Sequence, residues 1–212
     1  MKRTIKLALA AAALAVPLSA CTGIGGYGGL GDYYSLVRPH SVRVGDGSMA
    51  VTPPREWNRQ RRFFFDHVPW VEDWTLNGPL LDNMSFISGL PHGKFLIRTD
   101  RRDAQQVPRF HSNMTAPEIQ AMLESAYRVR GGAVDFRTLS LQPRQFLGHP
   151  GFQFDFEHLD TDEVWRKGRA VGAVIGGRLY LIMLDGVRAH YFPDALADLE
   201  SMIASAQLRR KS

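Results

Sequence analysis

The densest group of side chains able to do chemistry is the run Asp155-Phe156-Glu157-His158-Leu159-Asp160-Thr161-Asp162-Glu163. Hard carboxylate oxygens at that density suit calcium. On a strand, alternation places Asp155 and Glu157 on one face, and a turn beyond them folds Asp160 and Asp162 toward that face. The glycine and the closing glutamate of an EF-hand loop are missing from their positions. A solvated strand end followed by an acidic turn accounts for the run equally well, so no metal site is assigned. His149, between Gly148 and Pro150, is either a site residue or a turn residue facing water, and His190, beside Tyr191, belongs at a core edge. Neither has a carboxylate partner identifiable in sequence. The seven histidines show neither His-x-x-x-His nor His-Glu-x-x-His spacing. Ser85, Ser88 and Ser140 stand outside any Gly-x-Ser-x-Gly frame. No catalytic residue, cofactor or metal ligand is assigned, and the expectation is a protein that is not an enzyme. An enzyme would need a cleft that converges His149, Asp155 or Glu157.

The remaining reactive side chain is Cys21, the only cysteine. Lys2, Arg3 and Lys6 precede an apolar run over residues 7–16, too short for a membrane-spanning helix and of the length of a secretory core. Pro17 interrupts it, and Leu18-Ser19-Ala20-Cys21 follows. This tetrapeptide resembles the lipobox of bacterial lipoproteins. The resemblance implies cleavage before Cys21, diacylglycerol on its sulfur and acylation of the new amine, with palmitate among the chains. Two or three chains anchor stably where one is marginal. Thr22 stands where an Asp would retain such a protein at the inner membrane, so the resemblance implies the outer membrane, facing the periplasm. The expected divisions are a signal peptide over 1–20, a lipid-anchored tether over 21–39 and a single domain over 40–212. Residues 22–32 include six glycines, which are costly to order. A coil over 22–39 reaches about 20–25 Å, which keeps the body near its membrane.

The whole chain carries 26 Lys and Arg against 21 Asp and Glu; loss of residues 1–20 removes three basic and no acidic side chains, taking the net charge from +5 to about +2. That balance, with an envelope address, excludes nucleic acid as a partner. Arg59, Arg61 and Arg62 lead into Phe63-Phe64-Phe65. Such a stretch either meets anionic headgroups or phosphorylated sugars, or is a loop whose aromatics enter the core. The second is the expectation.

Strands are expected over 40–44 and 48–52 around Gly45-Asp46-Gly47, over 71–75, over 84–87, and over 94–98 with Phe95 and Ile97 on one face. Thr115-Ala116-Pro117-Glu118 has the pattern of a capping box with proline in the first turn. Ile119, Met122, Leu123 and Ala126 then form one apolar helix face, and Gly131-Gly132 ends it. A strand over 133–141 is expected to break at Pro143. Phe152, Phe154 and Phe156 point inward, opposite Gln153, Asp155 and Glu157 on a wet face. Gly176-Gly177 marks a hairpin between strands over 164–175 and 178–184. A last helix starts near Tyr191 and buries Leu196, Leu199, Met202, Ile203 and Ala206. Runs of strands broken by two helices read as α+β: a mainly antiparallel sheet with helices packed on it.

The Thr-Ala-Pro-Glu helix start is followed by Leu-x-Pro-x-x-Phe-x-Gly over 141–148, Gly-Phe-x-Phe over 151–154 and Gly-Gly-Arg-Leu-Tyr over 176–180. Together with the closing helix, this order resembles the PsbP-like α/β/α sandwich group, which includes small envelope lipoproteins. The resemblance runs over about residues 40–208 and implies a binding or assembly module. It brings no catalytic residue. The functional expectation is therefore a non-enzymatic envelope lipoprotein, held to the bilayer through acylated Cys21 and docking another envelope protein. A tethered enzyme and a carrier of a small apolar ligand between sheet and helix are the alternatives.

Overall fold

The computed structural model describes residues 33–61, 68–100 and 103–209. The chain divides into two units, Met1–Tyr34 and Ser35–Ser212. Leu18-Ser19-Ala20-Cys21 and residues 62–67, with Phe63-Phe64-Phe65, lie outside the described residues.

The described strands are β1 (Tyr34–Val37), β2 (Val42–Val44), β3 (Met49–Val51), β4 (Trp57–Gln60), β5 (Val71–Thr75), β6 (Asp82–Pro91), β7 (Ala133–Phe146), β8 (His149–Asp160), β9 (Trp165–Ile175), β10 (Arg178–Val187) and β11 (Gln207–Leu208). The helices are α1 (Ala116–Ala126), prolonged by a wider π turn over Tyr127–Gly131, and α2 (Tyr191–Ser205). Eight strands form one sheet in the order β1-β4-β5-β6-β10-β9-β8-β7, and β11-β3-β2 form a small second sheet. The pairs of known register are antiparallel. This is the α+β architecture expected from the sequence. Val37 is buried in the core, so β1 belongs to the sheet and the body reaches back into the span read as tether.

Strand parity divides the sheet's side chains between two cores. One gathers Phe86, Val171, Ile182 and Leu184 against Leu199 and Met202 of α2 and Val44, Met49 and Val51 of the small sheet. The other gathers Phe152, Phe154, Phe156, Leu181 and Met183 against Ile119, Met122 and Leu123 of α1. Full burial of each such aliphatic or aromatic side chain is worth about 1.5–3 kcal/mol, so both helices are held mainly by these stripes. The expected face of α1 is the buried one, and the Glu118 carboxylate accepts from the Thr115 N–H (2.7 Å) and hydroxyl (2.8 Å). Those two donors hold the Glu118 pKa below its ordinary value. Gly132, at φ 76°, closes the π turn.

The three phenylalanines of β8 sit opposite small residues of β9: Phe152 faces Gly172, Phe154 faces Ala170 and Phe156 faces Gly168. The missing side chains provide the space for the rings.

Four expectations change. β7 does not end at Pro143, which pairs with Phe152 in the ladder. β7 is the outermost strand, and there a residue without an N–H is tolerated. Residues 94–98 are not a strand, and Leu96, not Phe95 or Ile97, is the buried side chain. The buried stripe of α2 is Phe192, Ala195, Asp198, Leu199 and Met202, one position around from the expected face, with Leu196, Ile203 and Ala206 only partly buried against it. Finally, the odd-numbered face of β8 is not wet. Gln153 is buried, and Arg169 donates to Asp155 (2.7 and 3.0 Å) and to Glu200 of α2 (3.1 Å). Arg144 completes this layer by donating to Gln153 (2.7 Å) and pairing with Glu200, whose pKa it lowers. The polar flank of α2 covers the face as a salt-bridged lid.

Candidate functional site

On the α1 side of the sheet, five neighbouring strands change from apolar to polar at the same end. Along β8 the row Phe152, Phe154, Phe156 continues into His158 and Asp160; along β9, Ala170 and Gly168 give way to Arg166. Along β10, Leu179, Leu181 and Met183 lead to Asp185. Ile87 of β6 is followed on its face by Ser85 and Asn83, and Val71 of β5 by Asp73. The apolar portion lies under α1. A cleft of about 440 Å³ lies between the C-terminal end of α1, its π turn and these polar strand ends, within the usual range of about 300–1,000 Å³ for small-ligand sites.

His158 is at the centre of the polar part and is 1% exposed. Its Nδ1 lies 2.7 Å from Asp160 and its Nε2 3.0 Å from Asp185. Burial opposes a charge on the ring, but hydrogen bonding to Asp185 and the charges of Asp185 and Asp160 outweigh it, and the His158 pKa is raised. A carboxylate can only accept, so one at each nitrogen favours the protonated ring, which donates twice. The Tyr127 hydroxyl, brought in by the π turn, donates to Asp185 at 3.0 Å. Burial, and then the Asp185 charge, push the Tyr127 pKa well up, so the phenol keeps its proton. The rings of Tyr127, Phe136 and Phe156 pack around His158, with centroids 4.9, 6.3 and 6.1 Å away.

Arg166 ties the cluster to the β8–β9 turn. It donates to Asp160 (2.8 Å), to both oxygens of Asp162 (3.1 and 2.8 Å) and to the Leu80 carbonyl (2.9 Å). The Arg166 hydrogen bond is the chief reason the Asp162 carboxyl is lowered to about 2. Asp82, also on the cleft wall, accepts from the Thr75 hydroxyl, the Leu76 and Asn77 N–H groups and the Asn77 amide at 2.6–3.1 Å. It is a staple for the turn between β5 and β6. Asp73 differs: its partners among the described residues are the neutral Ser85 hydroxyl (2.6 Å) and Asn83 amide (3.4 Å).

The acidic run of the sequence is therefore split between two faces. Asp155 goes to Arg169 on the α2 side, and Glu157 to Arg137 and Arg188. His158 and Asp160 enter the cleft, with Asp162 reached through Arg166. Among the described residues no group of three or more His, Cys, Asp or Glu side chains is arranged to hold a metal ion. His149 is exposed at the start of β8 and His190 is exposed before α2; neither reaches the cleft. Sequence reading carried His158 only as a member of the acidic run and gave no role to Tyr127, Arg166 or Asp185. One signal was present for His158, an ionisable residue continuing the inward-facing row of three phenylalanines. Asp185 likewise continues the row from Leu179. That the two rows end side by side depends on register.

No protein-family model and no curated protein sequence matches the chain. Among solved structures, the chain is similar to cyanobacterial PsbP (CyanoP) from Synechocystis, with a TM-score of 0.54 and 18% identity, covering 88% of this chain and 99% of that one. It is also similar to a mutant of the protein Mog1 (TM-score 0.48, 8% identity, 81% of this chain and 96% of that one). A third is LpqN, a Mycobacterium tuberculosis protein involved in cell envelope biogenesis (TM-score 0.38, 12% identity, 84% and 92%). The first likeness defines the fold class: an α+β sandwich of the PsbP-like kind. At that identity it transfers the fold alone, and the other two carry no argument.

Proposed function

We propose that this chain is a lipoprotein of the bacterial envelope, acylated at Cys21 and held at the outer membrane facing the periplasm, whose body is a non-enzymatic binding module. The cleft beside α1 is its binding site, and an envelope protein receives or supplies what it holds. The observation that carries the binding part is the cleft itself: a cavity with an apolar wall and a few fixed polar groups, the usual constitution of a small-ligand site. The lipobox residues support the anchor.

A tethered enzyme is the competing reading, because Tyr127, His158 and Asp185 lie within hydrogen-bond reach of one another. Two features favour binding over catalysis. Both His158 nitrogens are committed to carboxylates, leaving no lone pair to take a proton from a substrate. The Tyr127 hydroxyl donates to Asp185 and has its pKa raised, the opposite of an activated nucleophile.

The anchor is tested by labelling cells with radioactive palmitate and fractionating their membranes, for the native chain and for Cys21→Ala on a cleavable secretory signal. Label and outer-membrane recovery for the native chain alone are expected. Unlabelled native protein recovered in the soluble periplasm would overturn the anchor. The partner is tested by crosslinking in intact cells with both forms. Capture of one envelope protein that is lost with the anchor is expected, and no specific capture with either form would remove the partner.

A further inference from the structure

The cleft's charge is out of balance in a way that names its ligand. Among the described residues its wall carries the carboxylates Asp73, Asp82, Asp160 and Asp185, against Arg166 and His158 as the basic side chains. His158 is shared between Asp160 and Asp185, and Arg166 between Asp160 and Asp162. Asp82 is spent on its own turn. Asp73 remains with neutral partners on one side of the cavity. The rest of the lining is largely apolar: Val71, Ile87 and Met183 on the sheet, and Leu96, Ile97 and Leu123 beside them.

An anionic head entering here would meet surplus carboxylate, and both fixed cations are already held. A neutral apolar molecule would displace water from Asp73 and leave that carboxylate only its neutral partners, which is unfavourable. A cation on an apolar body satisfies both walls: its head meets Asp73 and its chain runs along the α1 side. Resting on the reading of the cleft as a binding site, we infer that the ligand is a small amphiphilic amine, a protonated ammonium head carried on an apolar chain.

The experiment uses the mature-length chain with Cys21→Ala, so that no acyl chain competes, and measures binding of octylamine, octanol and octanoate by calorimetry near neutral pH. Octylamine is expected to bind at least about tenfold more tightly than octanol, the weight of one charge-assisted hydrogen bond, and octanoate least. Asp73→Asn keeps an acceptor for Ser85 and removes the charge. It should weaken octylamine by about tenfold and leave octanol unchanged. Ile97→Trp, at a half-buried position of the wall, should weaken all three by narrowing the cavity. Circular dichroism and thermal melting establish that both variants fold. Octanol or octanoate binding as tightly as octylamine, with Ile97→Trp blocking it, would overturn the amine inference and leave the binding site standing. No binding of any probe, or binding that Ile97→Trp does not touch, would overturn the binding site itself.

Discussion

Replacing His158 by Phe tests whether the cleft's polar cluster is held by charge. The substitution preserves the ring's shape among Tyr127, Phe136 and Phe156, so packing is little altered. What is lost is a pair of charge-assisted hydrogen bonds, to Asp160 at 2.7 Å and to Asp185 at 3.0 Å. Each is worth about 1.5–3 kcal/mol net. Both carboxylates keep one partner, Arg166 for Asp160 and Tyr127 for Asp185, which limits the loss. The extra apolar ring surface returns about 1 kcal/mol. A net loss of about 3 kcal/mol is expected, or about 6–12 °C in Tm for a chain of this size. The pH dependence has a definite sign. Because the folded-state pKa of His158 is raised, its contribution is fully present below the ordinary histidine value of about 6.5 and is lost as pH rises through the higher folded value. The gap between wild type and variant should therefore be largest near pH 6 and shrink toward pH 9. Urea unfolding, followed through the buried Trp57 and Trp74, measures it. A loss below about 1 kcal/mol near pH 6, or a gap that widens with pH, would refute the account of a buried imidazolium between two carboxylates.

Three further outcomes follow from the same geometry. Gly168→Ala would bring its Cβ into overlap with the Phe156 Cζ, forcing ring or strand to shift; a loss of about 1–3 kcal/mol is expected in chemical denaturation, and restoration by Phe156→Leu would identify the ring as the cause. Asp82→Ala strips one buried carboxylate from donors on Thr75, Leu76 and Asn77, with an expected loss of about 2–4 kcal/mol and faster amide exchange at Leu76 and Asn77. Carbon-13 NMR titration should find the Asp162 carboxyl at about 2, so its pairing with Arg166 stabilises the fold above the ordinary carboxylate range and is lost as pH falls toward that value; an ordinary midpoint would mean that Arg166 does not hold it.

Local chemistry made much of the fold legible. The Thr115 cap, the spacing of Ile119, Met122, Leu123 and Ala126, and the Gly176-Gly177 turn are read from residues adjacent in the chain, and the structure has each in place. Elements that depend on their surroundings were not legible. Pro143 breaks a strand only where its N–H would be needed, and the chain does not record that β7 is an edge. Gln153, Asp155 and Glu157 alternate like a solvated face until Arg144 of the neighbouring strand and Glu200 of the distant last helix close over Gln153 and Asp155.

The candidate site follows the same division. The sequence by itself determined the hydrophobic rows, the helix that covers them and a single cysteine at the end of Leu18-Ser19-Ala20-Cys21, which resembles a lipobox. Only the tertiary structure decided that His158 has Asp185 within reach and that a π turn carries Tyr127 to the same carboxylate. Strand periodicity is a property of neighbours in sequence, whereas the pairing of β8 with β9 and β9 with β10 is set by the summed packing of both cores. A one-residue slip in either ladder would turn these rows to the other face and dissolve the cleft.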